Sequence, residues 1–188
     1  MERGPGGGSR TAEQLVVGLL NVDVNGTEST VLRLYDGLLQ RPPSPTWLTE
    51  WSRRLRSGRS VASAADEFLR APDSPYKGLA TAAYVDALYR KVLRRSGDAK
   101  WRTIWTTRLD NGSWSRGAVA RDFIEGPEDV KLTTVDLKAI ELHRNLLGRL
   151  PTRSEYPLLL ASIRDGSVSL HELADGILVS EEYAHRVG

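Results

Sequence analysis

Three stretches of the chain repeat at a fixed interval. Leu34-Tyr-Asp-Gly-Leu-Leu-Gln-Arg41, Leu88-Tyr-Arg-Lys-Val-Leu-Arg-Arg95 and Leu142-His-Arg-Asn-Leu-Leu-Gly-Arg149 begin 54 residues apart each time. Such an interval limits the chain to one supersecondary unit used several times, because every copy has to bury the same apolar face against its own helices or its neighbours. The 188 residues therefore divide into about three small units rather than one large domain.

The first segment of each copy is apolar at helical spacing. Val31, Leu34, Tyr35, Leu38 and Leu39 recur as Val85, Leu88, Tyr89, Val92 and Leu93, then as Ala139, Leu142, His143, Leu146 and Leu147. The i, i+3, i+4, i+7, i+8 pattern predicts one buried stripe per helix. Breakers follow at Pro42-Pro43, Ser96-Gly97 and Pro151. A second helix carries Trp47, Leu48, Trp51 and Leu55, then Trp101, Ile104, Trp105 and Leu109, then Tyr156, Leu159 and Ile163. It closes at Gly58, Gly112 and Gly166, where a C-cap glycine is expected.

A third, shorter helix opens at Ser60, Ser115 and Ser169, with Ala65 and Phe68, Val119 and Phe123, and Leu173 and Ile177 facing inward. Pro72-Asp73 and Gly126-Pro127-Glu128 are expected to close the first two units. Ahead of them, Ser9 to Asn21 reads like the helix that begins at Ser115, as though part of a further copy came first. The expected fold is all-α: tandem three-helix repeats of about 54 residues packed as a compact helical array, preceded by a half-repeat helix. The expected divisions are a glycine-rich flexible leader at 1–9, a partial repeat or capping helix at 10–28, and repeats at 29–78, 79–131 and 132–188.

Composition is that of an ordinary globular protein, 40% hydrophobic and 27% charged, with no apolar run long enough to span a bilayer. The sequence contains no cysteine, which removes disulfides, thiolate metal sites and cysteine nucleophiles together. A net charge of +2 is too small to imply a nucleic-acid partner by itself.

With the copies aligned, residues 85–130 resemble the bacterial repeat family called domain of unknown function 4214. Val85 to Arg95 resembles its opening helix, and Gly97-Asp98 followed by Trp105 resembles its acidic turn and tryptophan helix. Asn111-Gly112, Ser115-Arg116 and Phe123-Ile124 resemble its closing half. Residues 31–76 and 139–184 are similar more loosely. The turn aspartate of the family is Asp98 here, with Ser44 and Thr152 at the matching positions of the other copies. The resemblance, distantly reminiscent of phycobilisome linker domains, implies a scaffold or adhesion module of exported or surface-associated assemblies and supplies no catalytic residue.

The chemistry-bearing residues agree with a non-catalytic module. His143, His171 and His185 share no ligand spacing, and neither a nucleophile elbow nor a glycine-rich phosphate loop is present. No metal and no cofactor is expected. Asp23-Val-Asn-Gly26 starts like a calcium loop, but its twelfth position is Leu34 on the buried stripe, so a turn between helices accounts for it better. Asp98 reads first as a helix N-cap.

Trp114 falls in a turn after Gly112, with Arg108 and Arg102 upstream. An exposed tryptophan there would suit a sugar face or a partner groove, and packing on the adjacent repeat is the competing reading. The candidate partner-binding residues are therefore Trp114, Arg108, Asp98 and Arg102. Arg53-Arg54-Leu-Arg56 with Arg59, and Arg90-Lys91 with Arg94-Arg95, form basic clusters that could follow a phosphate backbone. Asp66, Glu67, Asp110 and Asp122 are expected to interleave with them and turn them into salt-bridged surface. The leading expectation is a structural or protein-interaction module. The alternatives are a carbohydrate-binding module using the turn tryptophan and nucleic-acid binding through the arginines.

Overall fold

The computed structural model describes residues 23–188. The leader expected at 1–9 and most of the partial repeat expected at 10–28 lie outside the described residues. Among the described residues every regular element is a helix. In chain order these are α1 (Thr27–Leu39), α2 (Pro45–Arg56), α3 (Val61–Arg70), α4 (Thr81–Lys91), α5 (Ala99–Asp110), α6 (Arg116–Ile124), α7 (Pro127–Leu147), α8 (Glu155–Arg164), α9 (Leu170–Leu178) and α10 (Glu181–Val187). None of them is long and apolar enough to cross a membrane.

Helix ends are set by local chemistry that returns at the same interval. α1 stops at Gln40, the chain after α4 turns at Arg94, and α7 stops at Gly148; all three residues are left-handed, with φ of 54°, 55° and 73°. This is the conformation that frees the last carbonyls of a helix for capping, and it is uncommon for residues other than glycine. Chain reversal therefore comes before the breakers at Pro42, Ser96 and Pro151. Gly58, Gly112 and Gly166 are also left-handed, closing α2, α5 and α8 as expected.

The N-termini follow the same logic. Ser44 Oγ accepts from the Trp47 amide at 3.3 Å, and Asp98 Oδ1 accepts from the Trp101 amide at 2.9 Å. Thr152 does the same for α8, its Oγ1 accepting from the Glu155 amide while the Glu155 carboxylate accepts from the Thr152 amide at 2.7 Å. Serine, aspartate and threonine thus fill one capping position with interchangeable chemistry, each worth about 1 kcal/mol. The Asp23–Gly26 stretch is a turn leading into α1, closed by the Gly26 amide donating to the Asp23 carbonyl at 2.9 Å.

One hydrophobic core runs through most of the molecule. The stripes of α1 and α4 are buried throughout, and they join Leu48 and Trp51 of α2, Phe68 of α3, Phe123 and Ile124 of α6, Leu137 and Ile140 of α7, and Tyr156 and Leu160 of α8. A smaller satellite core holds Leu142 and Leu146 of α7 against Ala174 and Ile177 of α9. The most extensive helix pair is α3 with α6. Their close approach requires Gly117, where a Cβ would overlap the Ala62 carbonyl and the Asp66 side chain. The Asp66 carboxylate instead accepts from the Gly117 amide at 2.7 Å and from the Ser115 hydroxyl at 3.1 Å.

Gly126-Pro127-Glu128 does not close a unit. Proline sits in the first turn of α7, where its missing N–H costs nothing, and the acids Glu128 and Asp129 occupy the positive end of the helix. α7 consequently runs for 21 residues, and the boundary expected between residues 131 and 132 falls inside it.

Charged groups are buried where the segments meet. Arg164 Nη2 lies 2.8 Å from Asp36 and 3.0 Å from Asp136, Arg94 also donates to Asp136, and the Tyr156 hydroxyl donates to Asp36 at 3.1 Å. Two carboxylates and two guanidinium groups thereby cancel. Asp129, 2% exposed, is different: burial pushes its carboxyl up to about 8, against the opposing pull of Arg33, and Asp36 and Asp136 push in the same direction. A carboxyl raised in the fold binds more protons there than in the unfolded chain, so its stabilising effect is complete below pH ~4 and is lost as pH rises through ~8. Asp129→Asn is therefore expected to flatten the decline in denaturation midpoint between pH 5 and pH 8.5. A variant whose decline parallels that of the parent protein would remove Asp129 as its source.

Candidate functional site

The same arrangement of rings forms twice. In the first, Tyr35 of α1 meets Phe68 of α3 edge to face, with centroids 4.8 Å apart at 85°, and Trp51 of α2 lies 5.0 Å from Phe68 at 59°. In the second, Tyr89 of α4 meets Phe123 of α6 at 4.8 Å and 83°, and Trp105 of α5 lies 5.7 Å from Phe123 at 53°. Each step of this correspondence spans 54 or 55 residues, the extra one coming from the longer turn before α6. Edge-to-face packing of this kind adds about 0.5–1.5 kcal/mol to the burial of the rings themselves.

A cleft opens beside each triad. The first encloses about 370 Å³ and the second about 320 Å³, the lower part of the range that small ligands occupy. One wall of each carries an arginine stacked on the tyrosine, Arg41 at 5.3 Å from the Tyr35 centroid and Arg95 at 5.2 Å from that of Tyr89. Across the cleft the arginines find acids, Asp73 at 2.8 Å and Glu128 at 2.5 Å. The facing guanidinium holds each of these carboxyls below its ordinary range, so both pairs stay ionised at neutral pH. At each mouth stands a second tryptophan, Trp47 or Trp101, with 49% and 46% of its surface exposed.

The first turn of the helix explains that exposure. Helical side chains lean toward the N-terminus, so a tryptophan three residues past the N-cap overhangs the helix end instead of entering the core. Trp47 and Trp101 lie one helical turn from Trp51 and Trp105, a spacing that by itself allows both members of each pair into the core. Only Trp51 is fully buried, Trp105 is half-buried, and the outer member of each pair is solvent-facing.

The third segment keeps the position and replaces the chemistry. His143, Leu159 and Ile177 occupy the places of the three rings, and Glu155 stands where Trp47 and Trp101 stand. Arg149, the counterpart of Arg41 and Arg95, bonds Glu182 at 2.6 Å and Glu155 at 2.7 Å. It holds the Glu155 carboxyl far below the carboxylate range. His143 Nδ1 lies 3.1 Å from the Arg149 carbonyl, and burial lowers its basicity. This is an ion-paired lock between α7, α8 and α10, with no aromatic wall.

The four candidate residues separate into two groups. Trp114 and Arg108 come together: the guanidinium stacks 4.6 Å from the Trp114 centroid, Arg121 covers it at 5.7 Å, and Trp105 lies 5.8 Å away. Trp114 is half-buried and packs against the core, which follows the packing reading of this turn more closely than that of an open platform. Asp98 and Arg102 lie toward the other end of α5, about 15 Å and about 9 Å along the axis from Arg108 at 1.5 Å per residue. Asp98 caps the helix, and Arg102 binds Asp86 with distances of 2.6 and 2.7 Å. Most of the basic clusters are paired: Arg53 and Arg54 with Glu50, Arg59 with Glu67, Arg94 with Asp136 and Arg95 with Glu128, whereas Arg56, Arg90 and Lys91 make no ion pair among the described residues, and of the acids expected to interleave only Glu67 pairs with a cluster arginine. Among the described residues no three His, Asp or Glu side chains converge to hold a metal ion.

A family model described as Domain of unknown function (DUF4214) matches residues 65–133, which include the whole of the second cleft. No curated protein matches the chain, and no solved structure matches it.

Proposed function

Taking residues 65–133 as a segment of the DUF4214 family, we propose that the chain is a non-catalytic interaction module made of three tandem units built on three helices each, the third extended by α10, two of which present a recognition cleft while the third locks the array. The observation that carries this reading is the exposed tryptophan repeated at the mouth of two ring-lined clefts with the same arginine-acid pair. A half-exposed indole adds little to the fold and much to an interface, where tryptophan and arginine are the residues most often found to dominate binding. Shared left-handed residues, shared N-caps and matching ring geometry support descent of the three units from one pattern. The family resemblance adds a setting in exported or surface assemblies.

If Trp47 and Trp101 serve recognition, they are dispensable for stability. Trp47→Ala and Trp101→Ala are each expected to change the unfolding free energy by less than about 1 kcal/mol, the usual range for surface substitutions with a small packing loss. Urea denaturation followed by circular dichroism measures this. A loss of about 3 kcal/mol or more in both would place the rings in the core and remove the recognition reading.

A further inference from the structure

We infer that the two clefts bind a neutral glycan, one sugar segment each, with Trp47 and Trp101 as stacking faces; this rests on the reading of the clefts as recognition sites. Three features select that ligand class. An exposed indole offers a flat apolar face, which matches the C–H face of a pyranose and gives no advantage to a fully hydrated ion. Beside it, the Arg41–Asp73 or Arg95–Glu128 pair presents fixed donors and acceptors together, and vicinal sugar hydroxyls require both.

The third feature is the charge balance. Each of these arginines already has its carboxylate, and Glu67 and Asp122 farther along the walls face Arg59 and Arg121. An anionic ligand would have to displace an acid from its guanidinium, and a cationic one would compete with the arginine that stacks on the tyrosine. A neutral polyhydroxylated ligand disturbs neither pair. The third unit shows what the clefts lack elsewhere: with Glu155 in the tryptophan position, Arg149 is engaged on two sides and no stacking face remains. Two like sites on one module also favour a repeating polymer over a free monosaccharide, since the second contact becomes intramolecular once the first is made.

The full chain is titrated with cellohexaose, chitohexaose, maltohexaose and mannohexaose, following tryptophan fluorescence and isothermal calorimetry. Binding of at least one of them at two sites per chain is expected. Trp47→Ala and Trp101→Ala each halve the stoichiometry, the double variant abolishes binding, and Trp114→Ala leaves both sites. The glycan inference is overturned by no binding of any of the four up to about 10 mM, a free energy weaker than about −3 kcal/mol, or by binding that survives in the double variant. Variants that melt like the parent protein while no glycan binds would separate the two readings: the ligand class falls, and the dispensable exposed tryptophans keep their support for recognition.

Discussion

Replacing Trp51 by alanine is expected to lower the unfolding free energy by about 3–5 kcal/mol, the usual cost of removing a buried tryptophan ring. The ring is 6% exposed, packs against Phe68, and is covered by Arg54 at 4.9 Å and Arg59 at 5.5 Å. Phe68 in turn supports Tyr35 on α1, so the cavity would open where three helices meet. The contrast with Trp47, one helical turn away and half exposed, makes the pair diagnostic. Urea denaturation should give a lower midpoint at an unchanged slope for Trp51→Ala. A loss below about 1 kcal/mol, matching that of Trp47→Ala, would mean that burial does not distinguish the two rings.

Asp136→Asn should be nearly as damaging, for an electrostatic reason. Its carboxylate is 3% exposed and is bonded by Arg94 and Arg164, which come from different segments of the chain. Removing one partner from a buried pair costs about 3–5 kcal/mol because the other charge is left uncompensated. Here a value near the lower end is expected, since the arginine side chains keep 25% and 31% exposure and Asp36 remains beside Arg164. Denaturation at pH 7 measures it. An asparagine variant as stable as the parent protein would show that the junction behaves as ordinary exposed ion pairs do, worth about 0–1 kcal/mol.

Much of the fold could be read from the residues because its determinants are local. Stripes at 3.6-residue spacing, serine N-caps and the glycines at 58, 112 and 166 each act within one or two helical turns. The exchange of Asp98 for Ser44 and Thr152 preserves an amide-accepting role that only Asp98 suggested in the sequence and that the bonds of Ser44 and Thr152 reveal in the fold. The unbroken α7 was hidden because proline both breaks helices and begins them, and only the acids after Pro127 favour the second use.

The site was less legible. Arg41, Arg95 and Arg149 end the three repeated motifs, and Asp73, Glu128 and Glu182 lie 32 or 33 residues further on, but only the tertiary fold brings them together. Helical spacing alone allows Trp47 and Trp101 into the core, because it ignores the lean of side chains in a first helical turn. The place of Trp114 in a turn suggests exposure, whereas two arginines and Trp105 cover it. The informative signal was the coincidence of three offsets: tryptophan, arginine and acid all recurring at 54 or 55 residues, with the tryptophan alone lost from the third unit.

Native-state hydrogen exchange tests most directly whether the units share one core. The slowest amides of α1, α4 and α8 should open with a common free energy, and Trp51→Ala should lower all of them equally although the substitution lies in α2, while α9 and α10, held by the satellite core, exchange through smaller openings. Amides of α8 that keep their full protection when those of α1 lose theirs would contradict a shared core and leave three units that fold separately.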